Sequence, residues 1–190
     1  GASSQKSAMS VFEKAFLEAY PDANFSYTSS GSGAGVKAFN GETVDFAGSD
    51  SALKEDKGEV EAAKERCGGN DAWHLPTTIG PVAIAYNLGD TEVNLSTDTL
   101  AKIFKGEITK WNDDAIKAEN EGTDLPEKDI TVIFRSDESG TSDNFQKFLA
   151  AASDGKWEST GKAFPNAVGT GANGSSGVAQ EVSATDGAIT

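Results

Sequence analysis

Apolar residues recur at helical spacing near the start of the chain. They fall at i, i+3 and i+4 intervals: Ala8, Val11, Phe12, Ala15, Phe16, Ala19 and Tyr20. This spacing predicts an amphipathic helix over residues 8–20, with Ser3 and Ser4 where an N-cap would lie and Pro21 as its stop. We therefore expect the apolar stripe of this helix to face a core.

The same patterns place further helices between short apolar runs. Strands are predicted at 24–28, 43–48, 80–88 and 129–135. Helices are predicted within 31–39, over 55–66 and over 96–104, the last with Ser96 or Thr97 as cap. A further helix is predicted from the apolar stripe of Phe145, Phe148, Leu149 and Ala152, and another within 169–182, after a glycine-rich loop. "GAIT" at 187–190 begins another element. Alternating strands and helices predict an α/β fold with a largely parallel sheet, whose ligands lie beyond the carboxyl ends of the strands.

Charge and composition narrow the possible partners. The chain has 190 residues, enough for one domain or two small lobes, and its formal net charge is -14. That charge would repel a polyanion, so we expect no nucleic-acid partner. Cys67 and His74 are the only residues of their types, which excludes an internal disulfide and a cysteine-rich zinc site. We predict no metal and no cofactor, and no stretch approaches the roughly 20 apolar residues of a membrane-spanning helix.

Three loops have the same features: a small hydroxyl residue, a glycine and a predicted helix that starts directly after them. They are "GASS" (1–4), "GSGAG" (31–35) and "RSDESGTS" (135–142). A helix start exposes unpaired N–H groups and the positive end of the helix dipole, and glycine lets an anion approach the backbone. Ordinary caps and turns use the same residues, so any one of these loops is more simply explained as structure, and only the three together favour an anion site.

Charged residues beside these loops indicate what they could hold. Arg135 ends a predicted buried strand and could bind an oxyanion through paired hydrogen bonds, with Asp137 orienting its plane. A surface ion pair between the two is the plain alternative. Asp50 would repel an anion unless the ligand carries a proton for it to accept; otherwise it is a turn or helix cap. Together they suggest a partly protonated oxyanion.

Two nucleotide-binding interpretations fail on spacing. "GTGANGSS" has Ser175 where a P-loop needs lysine, and "GSGAGV" has Val36 where a dinucleotide fingerprint needs glycine. A phosphohydrolase or phosphotransferase with Ser139 or Asp50 as nucleophile stays open as a rival, although such chemistry needs a base or metal that the sequence does not supply.

Several segments together resemble one family. "VDFAGSDSAL", "IGPVAIAYNL", "IFKGEITKWND", "RSDESGTSDNFQKFL" and "GTGANGSSGVAQ" are similar, in order and along the whole chain, to the phosphate-binding proteins of bacterial phosphate-specific ABC transporters. The resemblance implies a two-lobed, Venus-flytrap-like periplasmic-binding-protein fold, with residues 1–80 in the first lobe and 81–190 in the second. Family members are longer, so we expect the segment that returns to the first lobe to be absent from this chain.

The resemblance also implies a function and a set of site residues. Such a protein traps phosphate between its lobes outside the cytoplasmic membrane, in the periplasm or lipid-anchored, delivers it to permease subunits, and is not an enzyme. The phosphate-binding residues it implies are Ser3, Ser4, Ser32, Asp50, Arg135, Ser139, Gly140 and Thr141. Hydroxyls and backbone N–H groups would donate, Arg135 would supply the cation and Asp50 would accept the proton of the phosphate.

Some assignments depart from the family or stay open. Ser3 and Ser4 stand where the family usually has a hydroxyl residue followed by an aromatic one, so for Ser4 the resemblance implies a backbone N–H contact without the packing of an aromatic ring. Asp137 would orient Arg135, whereas Glu138 and Asp143 would face solvent. The same fold could instead hold sulfate, molybdate or a small organic anion.

Overall fold

The computed structural model describes residues 1–165 and 168–190. A short 3-10 helix, Ser3–Gln5, precedes the first α-helix. The remaining elements, in chain order, are α1 (Lys6–Ala19), α2 (Ser32–Asn40), α3 (Glu59–Arg66), α4 (Thr97–Lys105), α5 (Asp114–Glu119), β1 (Thr131–Arg135), α6 (Gly140–Ala152), β2 (Thr170–Ala172), α7 (Gly174–Ala184) and β3 (Ala188–Ile189).

A parallel sheet of order β2-β1-β3 lies at the centre of the second half of the chain. Strand β1 pairs in parallel with β2 and with β3, so that Arg135 lies opposite Ala172 and Thr131 opposite Ala188. The predicted parallel sheet and the predicted strand ending at Arg135 are confirmed. "GAIT", whose element the sequence left undefined, contributes β3.

The main core packs against this sheet. Its largest fully buried side chain is Trp111, whose indole N–H donates to the carbonyl of Gly187 at 2.9 Å. Phe104 of α4 meets Phe145 of α6 edge to face, with ring centroids 4.9 Å apart.

Leu149 of the predicted α6 stripe is fully buried and Phe145 partly so, but Phe148 is 53% exposed and Ala152 is exposed, so only part of that stripe faces the core. Strand β1 ends at Arg135, and residues 136–139 connect it directly to the start of α6.

Three predicted strands did not form in the part of the chain that the structure describes. Residues 24–28 and 43–48 belong to no strand, and 80–88 makes only bridges, one of them between Tyr86 and Ile189. Around that bridge Ala85 and Thr190 exchange both backbone hydrogen bonds, at 3.0 and 2.8 Å. Alternating side chains favour extended backbone, but a strand also needs a hydrogen-bonding neighbour, which these segments lack along most of their length.

Helix boundaries follow the predictions in part. Ser96 caps α4 by accepting from the N–H of Thr99, as predicted. Ser3 and Ser4 do not cap α1, whose N-cap residue is Gln5, so that prediction was wrong: both serines lie in the 3-10 helix and their hydroxyls bind elsewhere. The predicted helix over 55–66 begins only at Glu59, after a turn.

The apolar stripe of α1 is largely uncovered. Phe12, Phe16 and Tyr20 are 42%, 39% and 61% exposed. Phe16 contacts Tyr20 and Phe25, but no other element of the described residues closes over this face. The helix was predicted correctly, whereas the burial of its stripe was not.

Candidate functional site

The starts of α2 and α6 meet at Asp50. The backbone N–H of Gly33 donates to the carbonyl of Glu138 at 2.9 Å, which joins the first turn of α2 to the loop before α6. At Gly140 a Cβ atom would lie 2.6 Å from Ser32 Oγ and 2.8 Å from Asp50 Cβ. Only glycine therefore permits this approach. Loops that are more than 100 residues apart in sequence form one site.

Asp50 is surrounded by hydroxyl and amide donors. Ser4 Oγ donates to Asp50 Oδ2 at 2.6 Å and Thr141 Oγ1 to the same oxygen at 3.2 Å. Gln5 Nε2 donates to Oδ1 at 3.1 Å, and the N–H of Asp50 donates to Ser32 Oγ at 3.2 Å. The structure thus brings Ser4 and Thr141 to the carboxylate of Asp50 and Ser32 to its backbone N–H, so that all three lie at one residue. Gln5 was missed, because nothing in its sequence context marks it.

The start of α6 keeps backbone donors free. Ser139 caps the helix by accepting from the N–H of Ser142 at 3.2 Å, and its own N–H donates to the carbonyl of Lys162 at 2.9 Å. Within residues 1–165 and 168–190, the N–H groups of Gly140 and Thr141 donate to no protein acceptor. The backbone N–H of Ser139 is therefore already paired, whereas those of Gly140 and Thr141 remain open at the helix start.

Arg135 is held rigidly beside this helix start. Asp137 accepts from it through both carboxylate oxygens, with Arg135 Nε 2.6 Å from Oδ1 and the second bond from Nη2 to Oδ2. Burial would raise the pKa of Asp137, but hydrogen bonds from Arg135 and from the N–H of Gly174 hold that pKa below its ordinary value. Arg135 is only 8% exposed, so the pair is no surface ion pair. The structure places Asp137 where it fixes the plane of the guanidinium, as predicted.

Ser3 reaches the same region through Ser175 of α7. The two hydroxyl oxygens lie 3.0 Å apart, and the N–H of Ser175 donates to Ser3 Oγ, also at 3.0 Å. Arg135 Nη1 donates to Ser175 Oγ at 3.3 Å. Ser175 was not predicted as a site residue, because it was considered only as the position where a P-loop would need lysine. "GTGANGSS" has the hydroxyl, glycine and helix start of the other three loops, and that signal could have identified it.

Part of this group faces a cavity of about 720 Å³, whereas Ser3, Ser32, Ser139 and Gly140 lie behind its lining. Its polar end is lined by Ser4, Asp50, Arg135, Thr141 and Ser175. Its other walls are apolar, among them Ile79, Val82, Phe104 and Phe145. Hydroxyls, free N–H groups and a guanidinium around one carboxylate suit a small oxyanion that still carries a proton.

One acid near the site was misjudged. Asp143, predicted to face solvent, is fully buried in the first turn of α6. Lys54 Nζ lies 2.7 Å from its Oδ1 and Lys147 Nζ 2.7 Å from its Oδ2. Burial would raise the pKa of Asp143, but these two lysines hold it below its ordinary value. Glu138 is partly exposed and pairs with Lys37 at 2.8 Å.

The described residues offer no set of His, Cys, Asp or Glu side chains that could hold a metal ion. None of the helices in 1–165 and 168–190 has the length and apolarity to cross a membrane.

Parallel α/β architecture with polar groups gathered at helix starts is common to several classes of protein that bind anionic ligands, solute-binding proteins among them. Comparison with known proteins decides the class. The chain belongs to the PBP superfamily: the family model described as "PBP superfamily domain" matches residues 1–190. The predicted fold class is thereby confirmed.

Two mycobacterial relatives match this chain along its whole length. The chain is 49% identical to the phosphate-binding protein PstS 3 of Mycobacterium leprae and 49% identical to the phosphate-binding protein PstS2 of Mycobacterium bovis. All of the chain is covered in both, but only 51% and 52% of the relatives, so it spans about half their length. These names confirm the resemblance to phosphate-binding proteins that the sequence motifs indicated.

Among solved structures, one is described as a high-affinity periplasmic phosphate-binding protein bound with phosphate. It shares 28% sequence identity with this chain, with a TM-score of 0.60. The alignment covers 84% of this chain and 47% of that one. The similarity therefore extends from sequence to three-dimensional arrangement.

Proposed function

We propose that this chain carries the binding site for hydrogen phosphate, at the polar end of the cavity beside the start of α6. One observation supports this most directly: the starts of α2 and α6 meet at Asp50, and Asp50 lines the same cavity as the fixed guanidinium of Arg135. The names of the mycobacterial relatives and the phosphate in the related solved structure point to the same ligand.

The donors would hold the phosphate oxygens from two sides. The free N–H groups of Gly140 and Thr141 lie at the positive end of the α6 dipole, and Arg135 keeps N–H groups beyond those that bind Asp137 and Ser175. Ser32 and Ser139, each 1% exposed, add hydroxyls in a site shielded from water. Local donors of this kind offset the repulsion from the net charge of -14.

Asp50 would recognise the proton of the ligand. Ser4 and Thr141 now donate to its Oδ2, and both hydroxyls can rotate to donate to a phosphate oxygen instead. Oδ2 is then left to accept the proton of hydrogen phosphate. Sulfate has no such proton, so it would leave this acceptor unpaired and set two negative charges in contact.

Binding without chemistry is favoured over catalysis by the partners of the possible nucleophiles. Ser139 Oγ accepts from the N–H of Ser142, and Asp50 accepts from hydroxyls and an amide. Within the described residues neither is hydrogen-bonded to a histidine or lysine that could act as a base. The proposed role is therefore that of a binding protein and not of an enzyme.

The whole protein would deliver phosphate to the permease subunits of an ABC transporter from outside the cytoplasmic membrane, in the periplasm or anchored there by lipid. Residues 1–80 and 81–190 would belong to its two lobes. The name of the Mycobacterium leprae relative supports phosphate as the ligand, and the periplasmic description of the solved structure supports the location. The lobe boundary follows from the family resemblance alone.

Competition calorimetry with phosphate, arsenate and sulfate tests the proposal. Phosphate and arsenate, which both carry a proton near neutral pH, should bind, and sulfate should bind at least about 10³-fold more weakly. Asp50→Asn should narrow that difference, because an amide can donate to sulfate. Asp129→Asn, at an acid whose side chain is 83% exposed, is the matched control. Wild-type protein that binds sulfate as tightly as phosphate would contradict the proposal.

A further inference from the structure

Gln5 holds one oxygen of the Asp50 carboxylate. Its Nε2 lies 3.1 Å from Asp50 Oδ1. An ionised carboxylate can only accept, so the amide nitrogen is the donor and this bond has a single direction. Gln5 is the last residue of the 3-10 helix Ser3–Gln5 and is 8% exposed. A buried amide from the start of the chain therefore binds the acid to which recognition of the ligand proton is assigned.

The backbone of Asp50 is fixed by two other residues. Its N–H donates to Ser32 Oγ at 3.2 Å, and its carbonyl accepts from Asn144 Nδ2 at 2.8 Å. These bonds place the backbone, but the carboxylate can still turn about the bond between Cβ and Cγ, a torsion with broad preferences. The orientation of the carboxylate therefore depends on the groups that bind Oδ1 and Oδ2.

The donors to the carboxylate are of two kinds. Ser4 Oγ and Thr141 Oγ1, at 2.6 and 3.2 Å from Oδ2, are hydroxyls that line the cavity, and phosphate binding as proposed turns both toward the ligand. Among the described residues, Gln5 is the one other side chain that donates to this carboxylate. Once the hydroxyls have turned, the amide of Gln5 alone holds Oδ1, and Oδ2 is left for the ligand proton.

The other end of the Gln5 amide has no hydrogen-bond partner. Its Oε1 is buried and accepts no hydrogen bond from the part of the chain that the structure describes. Gly48 leaves room for this oxygen, since a Cβ atom there would lie 2.4 Å from it. Burying an unpaired amide oxygen lowers stability, and an apolar side chain would avoid that loss. Packing therefore gives no reason for an amide at this position, whereas the bond to Asp50 does.

We propose that Gln5 is a positioning residue for the proton acceptor: it holds Asp50 Oδ1, so that Oδ2 stays directed at hydrogen phosphate. The inference rests on the proposed function and deepens it, because it assigns to Gln5 part of the selectivity between protonated and unprotonated oxyanions. Gln146 provides a matched control. Its amide is also buried, but its Nε2 donates to the carbonyls of Gly161 and Ala163, at 2.8 and 3.0 Å, and not to Asp50.

Competition calorimetry with phosphate and sulfate tests the assignment. Gln5→Met keeps the length of the side chain but removes the donor, so phosphate affinity should fall about tenfold. Sulfate has no proton for Asp50 to accept, so its affinity should stay within about twofold. Gln5→Asn, too short for the 3.1 Å bond, should lower the ratio of the two affinities in the same way. Gln146→Met should unfold at a lower temperature but leave that ratio within about twofold.

A double-mutant cycle separates positioning of Asp50 from direct contact with the anion. If Gln5 acts through the carboxylate, Gln5→Met should have almost no further effect on phosphate affinity in an Asp50→Asn background. A full further loss there, or equal losses for phosphate and sulfate, would overturn the inference while leaving the phosphate site in place. Absence of phosphate binding by the wild type would instead overturn the proposed function and the inference with it.

Discussion

Lys54 and Asp143 form a buried ion pair across the site: Lys54 Nζ lies 2.7 Å from Asp143 Oδ1, and the Asp143 side chain is fully buried. Lys54 follows Asp50 by four residues, whereas Asp143 lies in the first turn of α6. The N–H of Lys54 also donates to Glu59 at 2.9 Å, and Glu59 pairs with the buried Lys162 at 2.6 Å. These ion pairs hold residues 50–54 against α6.

Removing Lys54 should therefore destabilise the fold. Lys54→Met leaves Asp143 buried with Lys147 as its remaining partner, and breaking such a pair lowers the free energy of unfolding by about 3 kcal/mol. Urea denaturation followed by circular dichroism measures the change. Lys147→Met is the control on the same carboxylate: its side chain is 51% exposed, so water screens its charge more than that of the 18% exposed Lys54 and the loss should be clearly smaller. Equal losses for both variants would contradict this account.

Asp143 should also make stability depend on acid pH. Its pKa in the folded protein lies below that of the unfolded chain, about 3.9, so its stabilisation is fully present above that pH and is lost as pH falls through the folded-state pKa. Asp143→Asn should be less stable near neutral pH and should show a shallower acid decline. The free energy of unfolding between about pH 2 and 6 tests this. Parallel profiles for the wild type and the variant would refute it.

Gly140→Ala should disrupt both packing and phosphate binding. Its Cβ would lie 2.6 Å from Ser32 Oγ and 2.8 Å from Asp50 Cβ, so α6 would have to move away. We expect a loss of about 1–3 kcal/mol in stability and at least tenfold in phosphate affinity, measured by denaturation and calorimetry. At Gly177 the nearest atoms are 3.8 Å away, so Gly177→Ala should bind normally and should not be destabilised. Normal phosphate binding by Gly140→Ala would show that the two helix starts need not touch.

The hydroxyl of Tyr27 should lose its proton only at unusually high pH, and the free energy of unfolding should therefore depend on alkaline pH. Burial and the negative charge of Asp50 raise its pKa to about 12, and its hydroxyl donates to the carbonyl of Ala2 at 2.9 Å. Its stabilisation is complete below the unfolded pKa of about 10 and is lost as pH rises through about 12. The difference in phenolate absorbance between wild type and Tyr27→Phe reports this titration directly. A midpoint near 10 would contradict the burial of this hydroxyl.

The predictions from sequence succeeded where local pattern and local chemistry suffice. Helices α4 and α6, strand β1 and the Arg135–Asp137 pair all depend on residues near one another in the chain. The three hydroxyl and glycine loops were identified for the same reason, since a helix start shows its donors in its own few residues.

The wrong predictions concern contacts between residues that are far apart in the sequence. Alternation at 24–28 predicted a strand, but a strand also needs a partner, and none of the described residues provides one along that segment. Asp143 looked like a solvent-facing acid, yet Lys54 from 89 residues earlier neutralises it in the interior. Ser175 gained its significance only through Ser3, 172 residues away.

For this protein, sequence by itself determined the α/β class, because periodicity and helix capping are local properties, and the resemblance of its motifs identified the family and the residues of the proposed oxyanion site. Tertiary structure alone decided that the starts of α2 and α6 touch at Asp50, and that Arg135, Ser175 and Ser3 are connected by hydrogen bonds. Packing sets these relationships, since a hydrogen bond depends on ångström distances between segments that sequence order does not specify.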